Sequence, residues 1–423
     1  MARKGAATSM ATRHRQLEVD VAFDPLGAIQ DMHVFGEFGD INPSISDSST
    51  FTFMTPGKMR ELFDHEVEGC YLYSRHWNPT QRALAEALAA LEGTESAHVV
   101  GSGMAAIAVT ILQLCSRGDE VVASRTVYGG TYALFANFLP RFGIEVRFVD
   151  TGDLVAVAAA CSERTRVIYC EGLSNPLLEV ADIPALANLA HRRGAKLVVD
   201  NTFSPLLLAP VQLGADVVIH SLTKFINGTS DCVAGVVCGS REFIASLSDV
   251  NNGALMLLGP VLDSARAASI LKNLHSLHLR MRQHSENALF LARHLEERGV
   301  QVHYPGLSSH PHHERYKRLA SGDFGFGGVL TLCMPSVDQA EALMVAMQED
   351  RVGFLAVSLG YFKTLFSSPS HSTSSEIPKG TQDEMGLDPA MVRISVGLDH
   401  DIARTWRRLS TCLDAVLGPR RPA

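Results

Sequence analysis

Between residues 97 and 239 the chain alternates short unbroken runs of β-branched residues with helix-like stretches, and this alternation constrains the fold most. The runs are AHVVG (97–101), EVVAS (120–124), EVRFVD (145–150), RVIYCE (166–171), KLVVDN (196–201), DVVIHS (216–221) and VAGVVCG (233–239). Val/Ile-rich runs without polar alternation fit strands buried on both faces. With helices between most of them, they predict an open, mainly parallel seven-stranded α/β sheet. Such sheets bind ligands at the carboxyl ends of their strands, so the residues just after each run are where chemistry is to be sought.

With 423 residues the chain is long enough for two or three domains. Residues 1–70 carry Phe23, Phe35, Phe38, Phe51, Phe53 and Met54 without helical or strand periodicity. They read as an arm lying on another surface, a neighbouring subunit. Asn78-Pro79-Thr80 then opens a helix, with Leu84, Leu88 and Leu91 on one face and Gly93 as its stop. A large domain is expected over 71–270. A smaller α+β domain is expected over 271–423, with a helix at 281–299, a strand at 327–334 and a helix at 337–348. The Ser-, Thr- and Pro-rich segment 361–389 reads as a mobile loop.

The formal net charge of −8 argues against a protein that binds nucleic acid through phosphate contacts. No stretch approaches the roughly 18 unbroken apolar residues of a membrane span. Arg3, Lys4, Arg13 and Arg15 make the beginning basic, but no apolar segment follows, so they read as a short solvated tail. The eight cysteines form no CxxC pair and several sit in apolar runs, which fits buried reduced thiols in a cytosolic protein. His310, His312 and His313 lie in a Pro-containing segment without ligand spacing. They read as a solvated surface loop, and no metal site is expected.

Gly101-Ser102-Gly103-Met104-Ala105-Ala106 follows the first run and precedes a helix, matching G-x-G-x-x-A. A dinucleotide site would also need an acid at the end of the next strand, where Ser124-Arg125 stands instead. What survives is a helix N-terminus offering N–H groups to an anion, or a tight turn with no ligand. Lys224 follows the run DVVIHS, beside Ser221 and Thr223, and Asp200 ends KLVVD. A lysine at a strand end among apolar groups has a lowered pKa and is nucleophilic. Each residue alone fits an ordinary surface position. Together they meet the needs of pyridoxal phosphate: a Schiff-base lysine, an acid for the pyridinium and an anion site for the phosphate. Tyr128 is placed either to cover the ring or to pack in the core.

The segments YLYSRHWNPT, GSGMAAI, TVYGGTY, EGLSNPLLEVADIP, VVDNTF, HSLTKF, AVSLG and VRISVGLD appear in one order from about residue 70 to 400. In this the chain resembles the Cys/Met-metabolism family of fold-type-I pyridoxal-phosphate enzymes. HVFGEFGDINPSI, YSRHWNP and SLGYFKTLFSSPSHSTSSEIP make it most similar to the plant-type methionine γ-lyases of that family. The resemblance implies catalytic roles for Lys224, Asp200 and Tyr128, the last as ring cover and as acid for the leaving group. It implies a phosphate cradle of Gly103, Met104, Ser221 and Thr223. Tyr73 and Arg75 would reach the cofactor of the neighbouring subunit, and Asn175 would lie near the cofactor's ring hydroxyl. Arg393, supported by Ser358, would clamp the substrate carboxylate.

The implied activity is γ-elimination on L-methionine, giving methanethiol, 2-oxobutanoate and ammonia. The alternative is γ-replacement on an O-acyl-L-homoserine by a thiol or another nucleophile. Bacterial methionine γ-lyases carry a cysteine where this chain has Gly130, so that residue does not decide between them. Glycine there is expected to leave room for the terminal S-methyl group. The implied setting is a cytoplasmic homotetramer, a dimer of active dimers, acting on a small amino acid without nucleic-acid or membrane partners. A nicotinamide oxidoreductase and a non-enzymatic binding protein are the rival classes. The first lacks its ribose acid, and the second would be expected to lose Lys224, Asp200 or Arg393.

Overall fold

A computed structural model describes residues 23–32, 35–64 and 69–419. The basic positions of the expected tail, and residues 1–22, 33–34 and 65–68 of the expected arm, lie outside the described residues. The seven apolar runs form one sheet: β1 Ser96–Val100, β2 Glu120–Ser124, β3 Glu145–Val149, β4 Thr165–Glu171, β5 Lys196–Asp200, β6 Val217–Ser221 and β7 Gly235–Gly239. Their order is β1-β7-β6-β5-β4-β2-β3. The ladders from β6 through β3 are parallel, and β7 alone runs opposite to both of its neighbours. Val121, Val122, Val167, Ile168, Val198, Val199, Val218 and Ile219 are fully enclosed. Burial on both faces therefore explains why these strands lack polar alternation.

The helix Pro79–Glu92 starts as its caps dictate. Asn78 accepts the Thr80 N–H at 2.9 Å, Pro79 occupies the first turn, and Gly93 takes a left-handed φ of 70°. Asn78 also donates to Ser46 O at 2.8 Å and to Ser74 Oγ at 3.1 Å, tying the arm to this helix. Leu84, Leu88 and Leu91 are buried against the sheet. At about 1.5–3 kcal/mol for each fully buried leucine, this face is what holds the helix in place. Among the described arm residues, Phe38, Ile41 and Met54 are each about 90% exposed (88%, 92% and 92%), an unusual cost for large apolar groups.

A second sheet combines β8 Gln301–His303, β9 Val329–Cys333, β10 Phe354–Leu355, β11 Leu365–Ser367 and β12 Met391–Ser395, in the order β10-β11-β12-β9-β8. It carries its own apolar core with the helices Val337–Glu349 and Ile402–Leu417. The helix Leu277–Glu297 serves both cores. Leu277 and Met281 belong to the large one, while Ala288, Leu291 and Leu295 belong to the small one.

Two expectations are corrected. Segment 361–389 is folded rather than a loop, containing β11 and the short helix Lys379–Glu384, with Ser370, Ser374 and Ile377 buried. Its polar side chains bond locally: Ser372 Oγ donates to Ser368 O, Ser370 Oγ to Asp388 O, and Gln382 Nε2 to Ser374 O and Ile377 O. The histidines are not a solvated loop either. His310 is buried, its Nδ1 accepts the His312 N–H, and His312 Nδ1 accepts the Val180 N–H at 2.9 Å. Six of the eight cysteines are buried, Cys333 is half-buried, and Cys70 is exposed.

Candidate active site

At the carboxyl edge of the large sheet, where the small domain leans over it, lies a cavity of about 280 Å³. The stretches following β1, β2, β4, β5 and β6 converge there, and β12 and the turn after β10 close it from the other side. Gly103, Met104, Tyr128, Asn175, Asp200, Ser221, Thr223, Lys224, Ser358 and Arg393 all line it. Sequence positions from 103 to 393 are thus brought into one site.

One end of the cavity is the first turn of the helix Gly103–Leu114. Ser102 caps it by accepting the Ala105 N–H at 3.0 Å. The N–H groups of Gly103 and Met104 belong to the turn that has no acceptor within the helix. A Cβ at Gly103 would lie 2.7 Å from Ser221 Cβ, so only glycine lets the turn approach that hydroxyl. The Thr223 hydroxyl faces the main chain of Ala234, accepting its N–H at 3.0 Å.

Asp200 and Glu171 end neighbouring strands and sit opposite each other in the β4–β5 register. Burial raises the pKa of both, and Glu171 is pushed further by the Asp200 charge. Asp200 Oδ1 accepts the Thr202 N–H at 2.9 Å and Oδ2 faces Tyr169 Oη at 3.5 Å. Among the described residues no cationic side chain hydrogen-bonds to it. A half-buried acid without a cation is costly, and a protonated ring nitrogen would supply the missing partner. Lys224 is held down to a pKa of about 8, first by burial and then by the Arg393 charge. Its Nζ donates to Ser358 Oγ at 2.9 Å.

Arg393 projects from β12 and is 2% exposed. Its Nη1 donates to Asn175 Oδ1 at 2.9 Å and its Nη2 to Ser358 O at 3.2 Å. Burial lowers its pKa to about 10, which leaves it charged at neutral pH. Ser358 sits at φ 104°, a strained conformation for a residue with a Cβ, and it serves the lysine and the arginine at once. Tyr128 presents a phenol whose pKa is raised, chiefly by burial and then by Glu376, so it carries its proton at neutral pH. A Cβ at Gly130 would lie 2.6 Å from Tyr128 Cε1 and 3.3 Å from Met104 Sδ. The space opened by Gly130 is therefore occupied by the tyrosine ring, which corrects the expectation that it is free for a substrate methyl group.

Tyr73 and Arg75 do not line this cavity. Arg75 Nη1 donates to Met256 O at 2.9 Å, and its guanidinium lies 5.7 Å from the Tyr73 ring centre. Sequence reasoning missed Glu171 and Thr202, which also line the cavity. The position of Glu171 at the end of an apolar run, like that of Asp200, was the available signal.

A mainly parallel sheet that brings a lysine, an acid and the free N–H groups of a helix start to one edge has the arrangement of a fold-type-I pyridoxal-phosphate enzyme. The family described as Cys/Met metabolism PLP-dependent enzyme matches residues 28–403, and the chain belongs to it. It is 46% identical to a methionine γ-lyase of Arabidopsis thaliana, over 90% of this chain and 88% of the relative. It is 39% identical to an O-succinylhomoserine sulfhydrylase of Pseudomonas aeruginosa, over 86% of this chain and 88% of that one. A solved structure from Campylobacter jejuni, described as an O-acetylhomoserine (thiol)-lyase with N'-pyridoxyl-lysine-5'-monophosphate, superposes with a TM-score of 0.85. It shares 27% identity, covering 93% of this chain and 100% of that one.

Proposed function

We propose that the protein cleaves L-methionine at the Cγ–S bond, converting methionine and water to methanethiol, 2-oxobutanoate and ammonia. The observation that carries this reading is the gathering of Lys224, Asp200, Tyr128 and Arg393 around one cavity, in a chain 46% identical to a methionine γ-lyase. Pyridoxal phosphate, when bound, supplies a ring that stabilises negative charge beside the substrate's Cα. Lys224 would hold it, with Asp200 at the ring nitrogen and Gly103, Met104, Ser221 and Thr223 around the phosphate.

Arg393 binds the substrate carboxylate, because a guanidinium fork matches a planar anion. Asn175 and Ser358 keep that fork in place. Lys224, with a pKa of about 8, has an appreciable neutral fraction near pH 7 and takes the proton from Cα, and it can serve Cβ only after releasing that first proton. Tyr128, protonated at that pH, gives a proton to the departing sulfur.

The 39% identity to a sulfhydrylase supports a second reading, replacement at Cγ of an O-acylhomoserine. Incubating the purified enzyme with methionine and no added thiol separates the two. Production of 2-oxobutanoate and methanethiol supports elimination. Product formed only from acylhomoserine plus a nucleophile supports replacement.

We further infer a cytoplasmic homotetramer in which the arm, 1–70, lies on a neighbour, followed by a large domain, 71–270, and a small domain, 271–423. Tyr73 and Arg75 would then complete the neighbour's phosphate site. The exposed Phe38, Ile41 and Met54 support the idea of a covered arm.

A further inference from the structure

Glu171 has no part in the roles assigned above, yet it is 7% exposed at the rim of the cavity. A buried carboxylate is retained only where its oxygens are well used. Here both are used, one by Tyr128 on the stretch after β2 and one by Asn175, four residues along the same segment. Oε1 accepts the main-chain N–H of Tyr128 at 2.7 Å. Oε2 accepts the main-chain N–H of Asn175 at 3.1 Å. The first bond fixes the start of the segment that carries the phenol. The second fixes the residue whose Oδ1 holds Arg393 Nη1 at 2.9 Å. A single carboxylate therefore spans the two ends of the substrate site, the leaving-group acid and the carboxylate clamp.

We propose that Glu171 is a positioning residue that locks Tyr128 and the Asn175–Arg393 clamp in one relative placement. Its two routes are separable. The route to the clamp runs through the Asn175 side chain, whereas the route to the phenol does not. This inference rests on the reading of Arg393 as the carboxylate clamp, but not on the identity of the γ-substituent.

Glu171→Gln tests it. The amide keeps the size but offers one acceptor where two N–H groups point, so one bond is lost and a donor faces a donor. The probe is L-alanine, which carries the common carboxylate and no leaving group. Its dissociation constant is read from the absorbance change of the bound cofactor in the holoenzyme. Glu171→Gln is expected to weaken alanine binding about tenfold, the upper end of the effect of losing one buried hydrogen bond. In an Asn175→Ala background the same change is expected to weaken it less than about twofold, because the link to Arg393 is already cut. Glu171→Gln is also expected to lower kcat, and to do so in both backgrounds, since the Tyr128 bond is independent of the Asn175 side chain.

Unchanged alanine binding in Glu171→Gln, or the same weakening in both backgrounds, would overturn the proposal. Glu171→Asp provides a second variant, with two acceptors on a shorter stem, and is expected to shift binding in the same direction. If neither variant retains cofactor and native circular dichroism, Glu171 serves the fold rather than the site and the proposal fails. Because alanine binding does not require cleavage, an enzyme that spares methionine leaves this test intact.

Discussion

Replacing Arg393 by lysine keeps a positive charge and removes the fork. In the native site Nη1 and Nη2 each have a fixed acceptor, Asn175 Oδ1 at 2.9 Å and Ser358 O at 3.2 Å. The remaining donor edge is what a substrate carboxylate would meet. An ammonium at this depth serves at most part of that set, leaving one buried acceptor or one carboxylate oxygen without its donor. The loss of a charged hydrogen bond is worth about 1.5–3 kcal/mol. At about 1.4 kcal/mol per factor of ten, KM should rise roughly 10- to 100-fold. The carboxylate is held equally before and during bond cleavage, so kcat should change little. Initial rates against concentration for two amino acids with different γ-substituents provide the assay. A KM within about twofold of the native value, or a rise confined to one substrate, would refute the clamp.

Lys224→Ala is expected to abolish turnover and the cofactor's covalent attachment, measured as loss of the label after borohydride reduction and denaturation. Retained labelling would place the attachment elsewhere. Burial holds the folded Lys224 pKa near 8, below its ordinary value of 10.5, so the unfolded chain binds this proton more tightly. The apoprotein should therefore gain stability from this group as pH rises from about 8 to 10.5, and lose it again as pH falls. Urea unfolding of the apoprotein and of Lys224→Met across that range checks the sign, with a flat difference counting against it. Asn78→Ala removes a cap worth about 0.5–2 kcal/mol and frees Ser46 of the arm, so Tm should fall and the arm should be cut sooner by protease. Arg75→Ala should weaken cofactor retention, and a stable monomer with full activity and tight cofactor would dismiss the shared site.

The strands of the large sheet could be read from the chain because runs such as KLVVD and DVVIHS are buried on both faces and carry no competing polar pattern. The helix at Pro79 was equally legible, since Asn, Pro and Gly each act within one turn of their own position. The lysine and Asp200 could be found because strand ends are where such a sheet binds ligands. Glu171 stands at the same kind of position but went unnoticed, because its partners are main-chain N–H groups, which leave no trace in residue identity. The segment 361–389 misled for the opposite reason. Its serines and prolines look solvated, yet the hydroxyls of Ser370 and Ser372 find carbonyls nearby and the segment packs. Gly130 shows a third limit, since a missing side chain does not reveal which neighbour takes its space.

The helix Leu277–Glu297 behaves as a beam fixed at both ends. Its 21 residues make a rod of about 30 Å, at 1.5 Å per residue. One end is sunk in the large core through Leu277 and Met281, the other in the small core through Ala288, Leu291 and Leu295. At mid-span His284 Nδ1 meets Val396 O at 2.7 Å, and Asn287 Nδ2 donates to Gly397 O and Asp399 O at 2.9 Å, just beyond the strand that bears Arg393. A rod so anchored leaves little freedom for the small domain to swing, so the spacing between Lys224 and Arg393 is set by the scaffold before any substrate arrives. It also makes the two lobes poor subjects for dissection. A fragment cut ahead of this helix would bare the apolar seat of Leu277 and Met281, and one cut behind it would lose a wall of the small core.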